Sequence, residues 1–122
     1  ELLPLLLKIV DFGSEESQRL SLEALNLILQ GSGLDYAVQT LDRFQAIDVV
    51  LSALLSKCIF SRATVLLKSL FKIYIRLCDK PNVRQKLREK LPEGIDSKEA
   101  QSLCEADEEL DRLRKRFMQL TK

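Results

Sequence analysis

The stretch "ELLPLLLKIVDFGSEES", residues 1–17, decides the fold. Leu2, Leu3, Leu6, Leu7 and Val10 recur at i, i+1, i+4, i+5 and i+8, the spacing of an apolar stripe along one helix. "FGS" breaks the stripe, and Gly13 suits a helix C-terminal cap. Ser14 then suits an N-cap, with Glu15 and Glu16 in the first turn, where the helix dipole favours carboxylates.

Outward from this stretch the pattern stays helical. The second helix carries Leu20, Ala24, Leu27 and Ile28 on one side and Arg19, Glu23 and Asn26 on another, until "QGSG" stops it. A short helix is expected over 34–41 and a longer one over 43–57, with Phe44, Ile47, Val50, Leu51 and Leu54 inward. Ser61 is the expected cap of the next, which runs to Cys78 with Val65, Leu66, Leu70, Ile73, Tyr74 and Leu77 as its stripe. Pro81 suits a first helical turn with Asp79 as cap, and "LPEG" closes that helix. A last helix is expected from Asp96 or Ser97 to Leu120. No run alternates as a strand does.

The long helices repeat. A shift of 46 positions lays Leu5 on Leu51, Ile9 on Leu55, Leu20 on Leu66, Ala24 on Leu70 and Ile28 on Tyr74. A helical unit of this length predicts an all-α, armadillo-like stack (an α-solenoid) of about seven helices. The first helix is too apolar for a capping unit, so its open face should meet another chain or a further repeat.

Composition narrows the function. The chain has 122 residues, enough for one domain or part of one, and 46 % hydrophobic content. No apolar run approaches the roughly 20 residues of a membrane span, and no membrane partner is expected. Cys58, Cys78 and Cys104 are widely spaced and odd in number, which reads as reduced thiols of a cytoplasmic or nuclear protein. With no histidine and no CxxC pair, no metal site or cofactor is expected. The same lack removes the usual general base. Glu15–Glu16 and Glu108–Glu109 are adjacent on helices and do not face each other as catalytic dyads must. Cys58 has no base at hand. The sequence therefore predicts no catalytic residue.

Charge is unevenly spread. Residues 1–50 hold three bases against eight acids, a net −5; residues 51–90 hold ten against two, a net +8; residues 91–122 hold six against eight, a net −2. Lys68, Lys72, Arg76 and Lys80, followed by Arg84, Lys86, Arg88 and Lys90, form the strongest basic run. Three readings stay open for it: a solvated helix face, a dock for an acidic protein, or a nucleic-acid contact through Lys86, Arg88 and Lys90. The final "EADEELDRLRKR" pairs acids and bases at i, i+4, as in Glu108–Arg112 and Asp111–Lys115, which supports a helix.

Four stretches together carry a resemblance: "ELLPLLLKIVDFGSEES", "GLDYAVQTLDRF" (residues 33–44), "LLKSLFKIYIRLCDKPNVRQKLREKLPEGI" (residues 66–95) and "KRFMQL" (residues 115–120). They resemble, in order and spacing, the C-terminal half of the required-for-cell-differentiation (Rcd-one) family, the armadillo-repeat subunit of the CCR–NOT mRNA deadenylase complex. The match is best over residues 1–95. The resemblance implies a non-catalytic adaptor and a partial armadillo domain over residues 1–122, with the family's N-terminal repeats absent from this chain. It implies docking on the large NOT scaffold subunit, and recruitment of short peptide motifs from RNA-associated regulators. Pairing with the missing half or with a second copy would cover the first helix. By the same resemblance Leu20 belongs to a helix-binding groove, and Arg43, Phe44 and Arg84 to partner contacts. Tyr36, Gln39, Thr40, Asp79 and Pro81 also match the family's words. Leu41 stands where the family usually has tyrosine, and Asn82 where it has arginine, both around a tryptophan pocket. Ala46 stands where a histidine is common near the scaffold contact.

Overall fold

A computed structural model describes residues 2–122. Among them the chain is all helix: α1 (Leu2–Phe12), α2 (Glu15–Gln30), α3 (Gly33–Ala37), α4 (Leu41–Ser61), α5 (Thr64–Leu77), α6 (Pro81–Glu89), α7 (Lys98–Glu105) and α8 (Glu108–Leu120). α5 is the central element and packs on α2, α4 and α8, while α1 lies across α2 and α4. Its Leu67, Leu70, Ile73, Tyr74 and Leu77 are sealed from solvent. Phe117 of α8 sets its ring 5.4 Å from Tyr74 and 6.1 Å from Phe71, both on α5.

Several local signals act as expected. Ser14 caps α2 by accepting from the Ser17 amide, and Ser97 caps α7 by accepting from Ala100. The α2–α3 turn needs Gly33, where a Cβ would sit 2.5 Å from the Ile28 carbonyl oxygen. Val83, Leu87 and Leu77 are buried and Leu91 half-buried, as their spacing requires.

Six expectations need correction. The last expected helix breaks in two before Asp107, which brings the described residues to eight helices where about seven were expected. Asp107 Oδ1 accepts from the Leu110 amide at 3.2 Å and starts α8 afresh. α4 begins at Leu41, since Thr40 Oγ1 accepts from the Arg43 amide at 3.1 Å, and it runs through Ser61. Ser61 therefore caps nothing; Arg62 ends α4 in the left-handed region (φ 61°). Asp79 does not cap α6, because its carboxylate is held by Arg76.

The fifth correction concerns the repeat register. In α2 the buried face is Gln18, Ser21, Leu22, Leu25 and Leu29; Leu20 and Leu27 are exposed. Val65 of α5 is exposed too. Leu6 and Leu51, Val10 and Leu55, Leu22 and Leu67, Leu25 and Leu70, and Leu29 and Tyr74 are all buried, and each pair is 45 positions apart. The shift of 46 instead lays exposed Leu5 and Leu20 on buried Leu51 and Leu66. One residue turns a helix by about 100°, enough to exchange a core face for an open one.

α4 also departs from the expectation about apolar runs. Its 21 residues reach a mean hydropathy of 1.5 over an 18-residue window, enough by length and composition to cross a bilayer. Phe44, Ile47, Leu51, Leu54, Leu55, Cys58 and Ile59 nonetheless face the protein core.

Asp107 supports a pH prediction. Besides capping α8 it accepts from Lys68 Nζ at 2.9 Å. The Lys68 hydrogen bond, aided by the Leu110 amide, holds its carboxyl below the ordinary value of 3.8. A lowered folded-state value means stability that is present above 3.8 and lost as pH falls through the folded value. Asp107→Ala should therefore lower the melting temperature at neutral pH. The gap from the unchanged chain should close progressively below pH 3.8 in thermal melts.

Candidate partner-binding surfaces

The residues matched by the resemblance converge partly on a pocket between α3, α4 and α6. Val38, Leu41, Phe44 and Val83 supply apolar walls, and Gln39, Thr40, Asn82 and Lys86 a polar rim, around about 220 Å³. Phe44 is a buried core residue that lines the pocket. Leu41 is about half exposed at the mouth. Arg43 stands beside the pocket, its guanidinium carbon 3.9 Å from the Tyr36 ring centroid. It also donates to the Gln39 side chain at 2.8 Å and to the Tyr36 carbonyl at 3.2 Å. Lys80 pairs with Asp35 on the same short helix α3. α3 is thus held from two sides, by Arg43 and by Lys80, which sets the position of Val38 and Gln39. Arg84 is half-buried on α6 and does not line the pocket.

A second surface lies between α1 and α2. Lys8, Ile9, Phe12, Gly13, Ser17 and Leu20 bound an open groove of about 540 Å³. Phe12 is 80 % and Leu20 52 % exposed, so the groove presents large apolar side chains to solvent. The helical stripe containing Leu20 was legible in the sequence; the stripe alone did not turn it outward, which only the resemblance implied, and Phe12 reads as part of the "FGS" break.

The basic run divides. Lys68 pairs with Asp107 and Glu109. Arg76 binds Asp79 and donates to the Leu29 and Gln30 carbonyls, capping the end of α2. Lys80 is taken by Asp35. This half of the run is therefore structural and largely neutralised. Lys86, on the pocket rim, lies 3.7 Å from Glu89. Arg88 and Lys90 are exposed and close no ion pair among the described residues.

The buried titratable groups are ordinary core groups. Burial pushes the thiols of Cys58 and Cys78 up to about 11 and raises that of Cys104, which leaves the nucleophilic thiolate scarce at neutral pH. Asp48 is raised by burial and accepts from the Tyr74 hydroxyl at 2.8 Å, so the one polar atom of the central ring is satisfied.

These features define a helical-repeat protein with open apolar surfaces. The model of the cell differentiation family, Rcd1-like, matches residues 1–121, and the chain belongs to that family. It is 38 % identical over 96 residues to "Cell differentiation protein rcd1" of Schizosaccharomyces pombe. The match covers 78 % of this chain and 34 % of that protein, so the chain spans about a third of the length of this curated relative.

Proposed function

We propose that the chain is a non-catalytic adaptor of the CCR–NOT mRNA deadenylase complex, docking on the large NOT scaffold subunit and receiving short helical peptides of RNA-associated regulators. The open α1–α2 groove carries this reading: Phe12 and Leu20 are exposed between two packed helices, the form that accepts an amphipathic helix. Family membership supports it. The pocket beside α3 is the secondary site. Leu41 and Asn82 give it an aliphatic wall and an amide in place of the ring and guanidinium that the resemblance leads one to expect, which favours the groove as the main peptide site.

Co-purification with the scaffold's docking segment tests the adaptor reading. Charge reversal of Arg43 and Arg84 together is expected to weaken scaffold binding by at least about 2 kcal/mol, the size of a hot spot. Normal co-purification of that double variant would remove both residues from the interface. Reversal of Lys86, Arg88 and Lys90 is expected to leave scaffold binding intact.

Arg88 and Lys90, exposed and closing no ion pair among the described residues, favour one second reading, a nucleic-acid contact. It expects affinity to fall with salt by a log–log slope of about −0.7 per phosphate contact on single strands. Salt-steep RNA binding that disappears in the triple variant would put this reading first.

A further inference from the structure

A cavity of about 640 Å³ lies outside both partner surfaces, between α8 and the chain that leaves α6. Its size falls in the range of about 300–1,000 Å³ that small-molecule sites occupy. Leu91 and Met118, both half-buried, form apolar walls. Arg114, Lys115 and Lys122 bring positive charge, and Gln119 an amide. Among the described residues no aspartate or glutamate lines it. Arg114 is held in place: its Nε donates to the Ile95 carbonyl at 3.0 Å, and Ile95 is sealed in the core. Its two terminal nitrogens form no hydrogen bond or ion pair within the described residues. Lys115 is engaged by Asp111 at 2.9 Å. Lys122 is exposed and closes no ion pair within the described residues.

We propose that this cavity binds a small organic carboxylate with a compact apolar body. The carboxylate sits on the two terminal nitrogens of Arg114, a planar pair of donors that matches its two oxygens. Lys122 adds a second positive charge at the rim. The body lies against Leu91 and Met118, and the flexible thioether of Met118 adapts to a branched or an aromatic shape. Both halves of the ligand are needed. An inorganic anion would satisfy Arg114 and leave two apolar walls in water. A neutral hydrocarbon would cover the walls but strip water from an unpaired guanidinium, which is costly. Anchoring through Nε also means that Arg114 has little side-chain freedom left to lose on binding. None of these residues lines the α1–α2 groove or the pocket beside α3, and Lys86, Arg88 and Lys90 do not line the cavity. Carboxylate binding and the adaptor reading therefore stand or fall separately.

Titration of the chain with phenylacetate, followed through backbone amide and arginine Nε–H NMR signals, should give saturable shifts at Leu91, Arg114 and Met118. Phenylacetamide keeps the body and lacks the charge, and should bind at least about tenfold more weakly. Inorganic phosphate, which lacks the body, should also bind more weakly than phenylacetate. Arg114→Gln should weaken phenylacetate binding about tenfold or more, as loss of a hydrogen-bonded charge does. Gln119→Glu is nearly isosteric at an exposed site and offers Arg114 a rival carboxylate. It should weaken binding to a similar degree without lowering the thermal melt, and it decides alone if Arg114→Gln lowers the melt through loss of the Ile95 anchor. No saturable shift in the unchanged chain overturns the proposal. So does phenylacetate binding that survives Gln119→Glu, or an amide that binds as tightly as the acid. Phosphate binding as tight as that of phenylacetate also overturns it, by assigning the cavity to bare anions such as a nucleic-acid backbone.

Discussion

Phe117→Ala is expected to destabilise the chain by about 3–5 kcal/mol, the range for removing a buried phenyl ring from a packed core. Domains of this kind hold about 5–15 kcal/mol in total, so the loss is a large fraction of the whole. Phe117 is wholly buried, and its ring joins α8 to α5 through Tyr74 and Phe71. The ring leaves a void that two neighbouring aromatics cannot fill without leaving their own rotamers. Tyr74 is further tied by its hydroxyl to Asp48 on α4, so the disturbance reaches the centre of the fold. Urea unfolding should show a lower midpoint for Phe117→Ala and an intermediate one for Phe117→Leu. Phe60→Ala is the matched control: the same substitution at a 92 % exposed site should stay within about 0.5 kcal/mol. Equal effects at positions 117 and 60 would mean that the α5–α8 contact is not part of the stable core.

The helical class was legible because each apolar stripe follows the 3.6-residue period and most breaks carry a capping residue. Ser14 and Ser97 show this directly. Asp107, followed by Glu108 and Glu109, is also a readable helix start; it was hidden by the continuous amphipathic pattern on either side of it. The outward turn of Leu20 was harder to read. α2 has apolar residues on two faces, and only packing against α1 and α5 chooses Leu22, Leu25 and Leu29 as the core. The buried Gln18 shows why pattern alone fails there. Its side chain donates to the Val10 carbonyl at 2.8 Å, so a polar residue occupies the core face while leucines stand in water. The pairing of the basic run was not legible either. Lys68 meets Asp107 39 positions away, and Lys80 meets Asp35 45 positions away, contacts that exist only once the helices are stacked.

Replacing Phe12 by serine and Leu20 by lysine should weaken binding of an amphipathic helical peptide by at least about 2 kcal/mol, roughly thirtyfold. The groove's attraction comes from apolar surface, and a fully buried Phe or Leu contributes about 1.5–3 kcal/mol over an exposed one. Docking removes both side chains from water; with serine and lysine there, it instead desolvates a charge. The same pair should hardly change the fold. Both native residues are more than half exposed, and Gln18, Leu22 and Leu25 anchor α2 from its other side. Lysine at position 20 sits four residues after Glu16 and three before Glu23, spacings that favour a helix by about 0.2–0.5 kcal/mol per pair. Glutamate at position 20 would instead add repulsion and confuse lost binding with a loosened helix. The decisive comparison is calorimetric titration with an amphipathic peptide beside a thermal melt of the same variant. Lost binding with an unchanged melt places the peptide site between α1 and α2. Unchanged binding with an unchanged melt would move it to the pocket beside α3, where Leu41→Lys is the corresponding substitution and should then carry the loss.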